Sequence, residues 1–231
     1  TDDTGTPSLP MDIIYMDANS GGLDYAGQLA GLRVTAKVYG NTVEHRMDNY
    51  GLRTPVDPTK RRYSDVDSDG LGFRLDAAHA LGAGELQVGV DGHLVDHAAV
   101  IKSPDNAMFR VDNFNDVERD LLGLFAEWRA SLGADWDLEA GARVNRVNMD
   151  AGTVSHSMAM MNPNIAALVS GFNNADRSVS DTNLDWVLQL TRHVSKDFSL
   201  HAGIARKMRS PSYQERYLWL PLQATGGLAD G

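Results

Sequence analysis

Apolar and polar side chains alternate one for one along most of this chain, the period of a pleated strand with one face turned away from water. The clearest run sets Leu32, Val34, Ala36 and Val38 against Arg33, Thr35, Lys37, Tyr39 and Asn41. Six further segments repeat it: Leu71 to Ala77, Glu85 to Leu94, Leu122 to Ser131, Trp136 to Asn145, Leu184 to Thr191, and Phe198 to Ile204. A weaker strand, the eighth, is expected near Met11 to Ala18. No segment requires a helix.

The connections alternate too. Gly82-Ala83-Gly84, Gly133-Ala134-Asp135 and Ser195-Lys196-Asp197 are hairpin turns. The links over 49–65, 99–116, 151–181 and 209–231 are long and rich in Asn, Asp, Pro and Ser. Tight turns therefore sit at one end of the sheet and long loops at the other. A membrane-crossing strand needs only about 9–11 tilted residues of alternating polarity, and outer-membrane barrels have short periplasmic turns and longer extracellular loops. Trp136 and Phe198 stand at the turn ends of the apolar faces, where an interfacial aromatic girdle belongs. The pattern thus reads as an all-β, antiparallel transmembrane β-barrel segment of about eight strands.

A soluble β-sandwich or lipocalin-like barrel shows the same alternation with its apolar face inward. On the other face, Arg33, Lys37, Arg74, Asp76, Glu85, Asp91, Glu127, Arg129, Asp137, Glu139 and Arg143 suit a wet lumen or a solvent surface equally. Strand length, the loop rhythm and the many small apolar residues favour the membrane barrel.

Composition narrows the partners. Twenty-one Lys and Arg against 31 Asp and Glu give a net charge of −10 over 231 residues, the wrong sign for nucleic acid. No apolar run approaches the roughly 18 residues of a spanning helix. With no cysteine, disulfides, zinc-thiolate sites and a thiol nucleophile are excluded within this chain. The start at Thr1 has no basic and apolar leader, as expected of a processed chain or a piece of a longer one.

Three motifs invite chemistry. Asp65-Val66-Asp67-Ser68-Asp69-Gly70, with Asp76 beyond, resembles a calcium loop, but it runs straight into a strand with no flanking helix and reads as an acidic, solvated loop end. His93 and His97 have the spacing of a helical zinc pair, yet on a strand they stand roughly 13 Å apart and read as lumen-lining residues. No nucleophile elbow singles out a serine, so no catalysis is implied. The third motif is Ser155-His156-Ser157-Met158-Ala159-Met160-Met161 in the loop over 151–181. Imidazole and thioether form a donor set that favours Cu(I) over hard cations. In an extended stretch His156, Met158 and Met160 share one side, with the first two about 7 Å apart, near enough to close on one ion. Packing of the methionines against neighbouring loops is the alternative.

Four stretches carry a resemblance: Leu9-Pro10-Met11-Asp12-Ile13-Ile14-Tyr15, His45-Arg46-Met47-Asp48-Asn49-Tyr50-Gly51-Leu52-Arg53, Gly171-Phe172-Asn173-Asn174-Ala175-Asp176-Arg177, and Arg209-Ser210-Pro211-Ser212-Tyr213-Gln214-Glu215-Arg216-Tyr217-Leu218-Trp219-Leu220-Pro221-Leu222. Together they resemble the barrel of TonB-dependent outer-membrane copper receptors, over essentially the whole chain. The resemblance implies a barrel of about 22 strands enclosing an N-terminal plug, seated in outer-membrane lipid of a Gram-negative bacterium and driven by the TonB-ExbB-ExbD system. It makes residues 1–231 a partial barrel domain, an open sheet with plug and remaining strands elsewhere. It makes copper the transported ligand, held at the metal residues His156 and Met158, which match the His-x-Met half of that family's signature; its Cys-x-x-x-Met half is not in this chain. No organic cofactor is implied. Asp65, Asp67 and Asp69 would then steer cations toward the loops. A siderophore or other metal-chelate receptor, with His156 incidental, and a structural or adhesive outer-membrane barrel are the competing readings.

Overall fold

The structure is a computed structural model that describes residues 2–6, 9–55 and 57–220. Nine antiparallel strands follow one another in chain order in a single sheet: β1 (Asp2–Thr4), β2 (Asp12–Leu29), β3 (Leu32–Asp48), β4 (Tyr63–Leu81), β5 (Gly84–Lys102), β6 (Arg110–Ser131), β7 (Trp136–Asp150), β8 (Val179–Ser195) and β9 (Phe198–Arg206). Two helices, α1 (Pro163–Asn174) and α2 (Tyr213–Tyr217), lie in the long connections. Among the described residues the sheet does not close: β1 and β9 are its edges. All seven strong strands are present, and the weak eighth is a full strand paired with β3 from Asp12 to Leu29.

The expectation differs from the fold in three respects. β1 adds a ninth strand, a three-residue piece whose Asp2 and Thr4 pair with Tyr15 and Ile13. The expectation of no helix is overturned by α1 and α2. The loops are also shorter than expected, because the strands, from 15 to 22 residues in β2 to β8, run on into them. Asp65, Asp67 and Asp69 are accordingly inside β4, not in a loop end. The last expected loop, 209–231, is described to residue 220.

Strands of that length are about twice what a bilayer needs, and the surplus is used in a particular way. In the half nearest the turns the outward face is apolar: Leu23, Val38, Phe73, Leu75, Val88, Leu124, Leu188 and Ile204 are exposed there. Cross-strand pairs such as Leu23↔Val38, Val38↔Phe73 and Leu75↔Val90 join this into one band. On the same face, just past Leu71↔Leu94, the band stops at Asp69↔Asp96, and the acidic row continues as Asp96↔Glu118 and Glu118↔Asp150. Like charges directly opposite one another are unfavourable in a sheet, so this row is tolerable only where water reaches it.

The inward face has the opposite order. Near the turns it is charged and internally paired: Arg143 forks onto Asp91 with two hydrogen bonds of 2.6 Å, and Asp76 accepts from Arg74 Nε at 2.8 Å and Gln87 Nε2 at 2.9 Å. The Phe125 ring lies between the guanidiniums of Arg74 and Arg143, at 4.7 and 5.9 Å from its centre. It fits because residue 89 is glycine: a Cβ there would collide with the ring. Near the loops the same face is apolar and buried. Ala99, Phe114, Val117, Val147 and Met149 pack against Tyr217, while Ile101, Val111 and Val154 pack against Trp219. The core of the molecule is therefore at the loop end, on the inner side of the sheet, and is closed by the chain's own segment after β9.

Candidate functional site

The connection between β7 and β8 holds the candidate donors, and local chemistry fixes its shape. After Asp150 the chain turns inward on Ala151 and Val154, both buried. The Asn173 side chain brackets Val154, accepting from its N–H at 2.8 Å and donating to its carbonyl at 2.9 Å. Asn162 caps α1, its side chain accepting from the amides of Asn164 and Ile165, with Pro163 opening the helix where no N–H is needed. At the other end of α1 the Arg177 guanidinium donates to the carbonyls of Asn173 and Ala151. Helix and sheet thus hold the turn between them from both sides.

His156 makes an antiparallel bridge with Val111 of β6, and Ser157 extends it by donating its N–H to the Arg110 carbonyl at 2.9 Å. The imidazole meets the Phe109 ring edge on, with centres 5.7 Å apart. Burial, and then the nearby Arg62 charge, lower its pKa from the usual 6.5, so the ring is neutral at neutral pH. The Met158 amide donates to Nδ1 at 3.0 Å, which places the proton of the neutral ring on Nε2. A metal taking either nitrogen has to displace that arrangement: Nδ1 is already accepting and Nε2 is protonated.

The stretch 155–161 is not extended. Ala159 N–H donates to the His156 carbonyl, and Met161 and Asn162 N–H to the Met158 carbonyl, so residues 157–161 form consecutive turns. The one-side alternation expected for His156, Met158 and Met160 does not apply here. Met158 is 39% exposed and Met160 fully exposed. The signal for the turn, Asn162-Pro163 as helix cap and first residue, is present in the sequence. Phe109 and Arg62, with the Arg62 guanidinium 4.0 Å from the Phe109 ring centre, complete the surroundings of His156 and have no sequence signal, since they come from other loops.

The remaining motifs lie elsewhere. Asp65 faces outward, bound to Arg46 Nε at 2.6 Å and Lys102 Nζ at 3.0 Å, whereas Asp76 faces inward. Eleven residues along a strand put the supposed first and closing carboxylates on opposite faces, so this is no calcium loop. His93 and His97 share the inner face of β5, as expected, but serve different neighbours: His93 lies 6.1 Å from the Tyr39 ring, His97 between Tyr213 at 4.5 Å and Phe114 at 5.5 Å. Among the described residues no three His, Asp or Glu side chains gather to hold a metal ion.

An open antiparallel sheet with an apolar outward band, a charged inner wall and a loop-end core defines a segment of a large transmembrane β-barrel. Residues 2–230 match the family described as TonB dependent receptor-like, beta-barrel, and the chain belongs to it. Among solved structures it is similar to that of a protein named copper transporter OprC, with a TM-score of 0.72, 24% identity, and 90% of this chain covered. The chain spans 32% of that structure's length. No curated protein matches it.

Proposed function

We propose that this chain is part of the barrel of an outer-membrane receptor that takes up copper, with His156 and Met158 as ligands at the extracellular end and no catalytic step. The whole receptor then includes a plug and further strands, and draws on the TonB-ExbB-ExbD system of a Gram-negative cell. The observation that carries the cargo is the turn at 156–161: accessible thioethers beside a neutral imidazole, which gives up its hydrogen bond from the Met158 amide to take the metal, at the loop end in a turn pinned to β6 and α1. Imidazole with thioether selects copper over calcium, magnesium or manganese. The similar solved structure, which bears the name of a copper transporter, agrees with this cargo.

Two ligands leave an ion partly solvated, so a complete site draws on donors outside this chain. The full-length receptor in detergent is expected to hold about one copper, and His156→Ala and Met158→Ala each to lower copper content at least about tenfold, the loss of about 1.4 kcal/mol or more per ligand, with barrel assembly unchanged. Wild-type copper content in both variants would sink the assignment. Displacement of bound copper by a ferric chelate, with metal content unaffected by either substitution, would point to a chelate receptor instead.

A further inference from the structure

On the outward face, near the turns, one guanidinium stands without an acid. Arg192 of β8 is directly opposite Trp136 of β7 and Leu200 of β9. Its guanidinium carbon lies 5.3 Å from the centre of the Trp136 ring, and among the described residues that ring is its only partner. Two other cations near the turns have acids, Arg33 with Glu85 and Arg129 with Glu127 and Glu139, and the His193 ring lies 2.7 Å from Asp137. Those lie on the inner wall, where a charge has water as well. Arg192 has no acid: its neighbours on the outward face are Trp136, Leu190, Leu200 and Phe198, of which Leu200 and Phe198 are exposed members of the apolar band. Both strands flanking β8 are present, so no additional strand of the barrel can cover this position.

A guanidinium at the edge of hydrocarbon needs a counter-anion, and its planar fork of donors matches a phosphate oxygen pair. Arg192 sits at the height of Trp136 and three residues before the Ser195–Phe198 turn, where headgroups meet the apolar band. Lys196, in the turn itself, adds a second cation four residues further along the chain. Leu190 and Leu200 beside the fork suit acyl chains and not a free aqueous anion. We propose that Arg192, stacked on Trp136, binds the phosphodiester of an anionic phospholipid in the periplasmic leaflet. The site is independent of the copper reading and rests only on the strands spanning a bilayer.

The test uses the full-length receptor in detergent, titrated with dioleoyl phosphatidylglycerol or dioleoyl phosphatidylcholine and read by native mass spectrometry. Wild type is expected to retain one more phosphatidylglycerol than Arg192→Gln, to prefer it over phosphatidylcholine, and to keep it in millimolar inorganic phosphate. Arg192→Lys, which keeps the charge but not the fork, should retain the lipid more weakly, and it carries the test alone if the Gln variant does not assemble. Equal retention by wild type and both variants, no preference for the anionic lipid, or displacement by inorganic phosphate would each overturn the proposal. Copper content should match wild type throughout, so failure here is distinguishable from failure of the copper site.

Discussion

At the residue scale the segment after β9 shows how a few polar atoms hold an apolar plug of side chains in place. Ser212 and Glu215 cap α2 reciprocally, Arg209 forks onto Glu215, the Tyr217 hydroxyl donates to the Arg177 carbonyl at 2.7 Å, and Trp219 Nε1 donates to the Asp112 carbonyl at 3.0 Å. Arg209, with the Ser212 amide behind it, lowers the Glu215 carboxyl from 4.5 to about 2. A depressed carboxylate contributes stability above its unfolded value and loses it as the pH falls through the folded one. Trp219 fluorescence should therefore report loosening of this segment between about pH 4.5 and pH 2, and Glu215→Gln should remove that transition. Flat emission in the wild type across the window would contradict the assignment of Glu215 as the acid-sensitive tie. Ser212→Ala should cost about 1 kcal/mol of local stability, measurable by amide exchange over 213–217.

Elements are legible where a single period governs them. The seven strong strands are readable because each keeps its apolar residues on one side, and the register Leu71↔Leu94 or Leu124↔Val144 preserves that sidedness across neighbours. The strands' outer halves are not, because the two faces exchange polarity part way: Asp65, Asp67 and Asp69 on the outside of β4 look like a loop, and Val147 and Met149 on the inside of β7 fall out of phase with Ala140 and Ala142. Helix α2 is signalled by Ser212-x-x-Glu215, a capping pair hidden within a string that stands out only as a resemblance. For α1, Ile165, Val169 and Phe172 give a helical stripe, of which Val169 and Phe172 pack on the core. Of the candidate site, the residues are readable and the shape is not, since the turn depends on a bridge to Val111, 45 residues away. Because α1 holds that turn, Phe172→Ala should cost about 3 kcal/mol and raise amide exchange across Pro163–Asn174. Unchanged protection there would mean that the caps alone anchor the helix.

For the whole molecule, the decisive property is that the sheet has two opposed gradients. Outside, it passes from apolar near the turns to acidic near the loops; inside, from paired charges to a packed core. A basic substitution in the outer apolar band should therefore act through lipid: Leu124→Arg is expected to destabilise the assembled barrel by about 2–4 kcal/mol. Asp96→Lys, in the acidic row, should be neutral or mildly stabilising because it relieves Asp69 and Glu118. Heat-modifiable migration of the full-length receptor, with urea midpoints, separates the two, and equal effects would mean that the row and the band share one environment. The row has a further consequence. A barrel free to float could ride high or low in the bilayer, yet a descent of one rung, two residues or about 7 Å along a strand, would carry the Asp69, Asp96 and Glu118 carboxylates into hydrocarbon. A rise of one rung would lift leucines into water. The boundary at Leu71 and Leu94 is thus a waterline written into the sheet: it sets the draught of the receptor, and with it the height at which the loops meet the world outside.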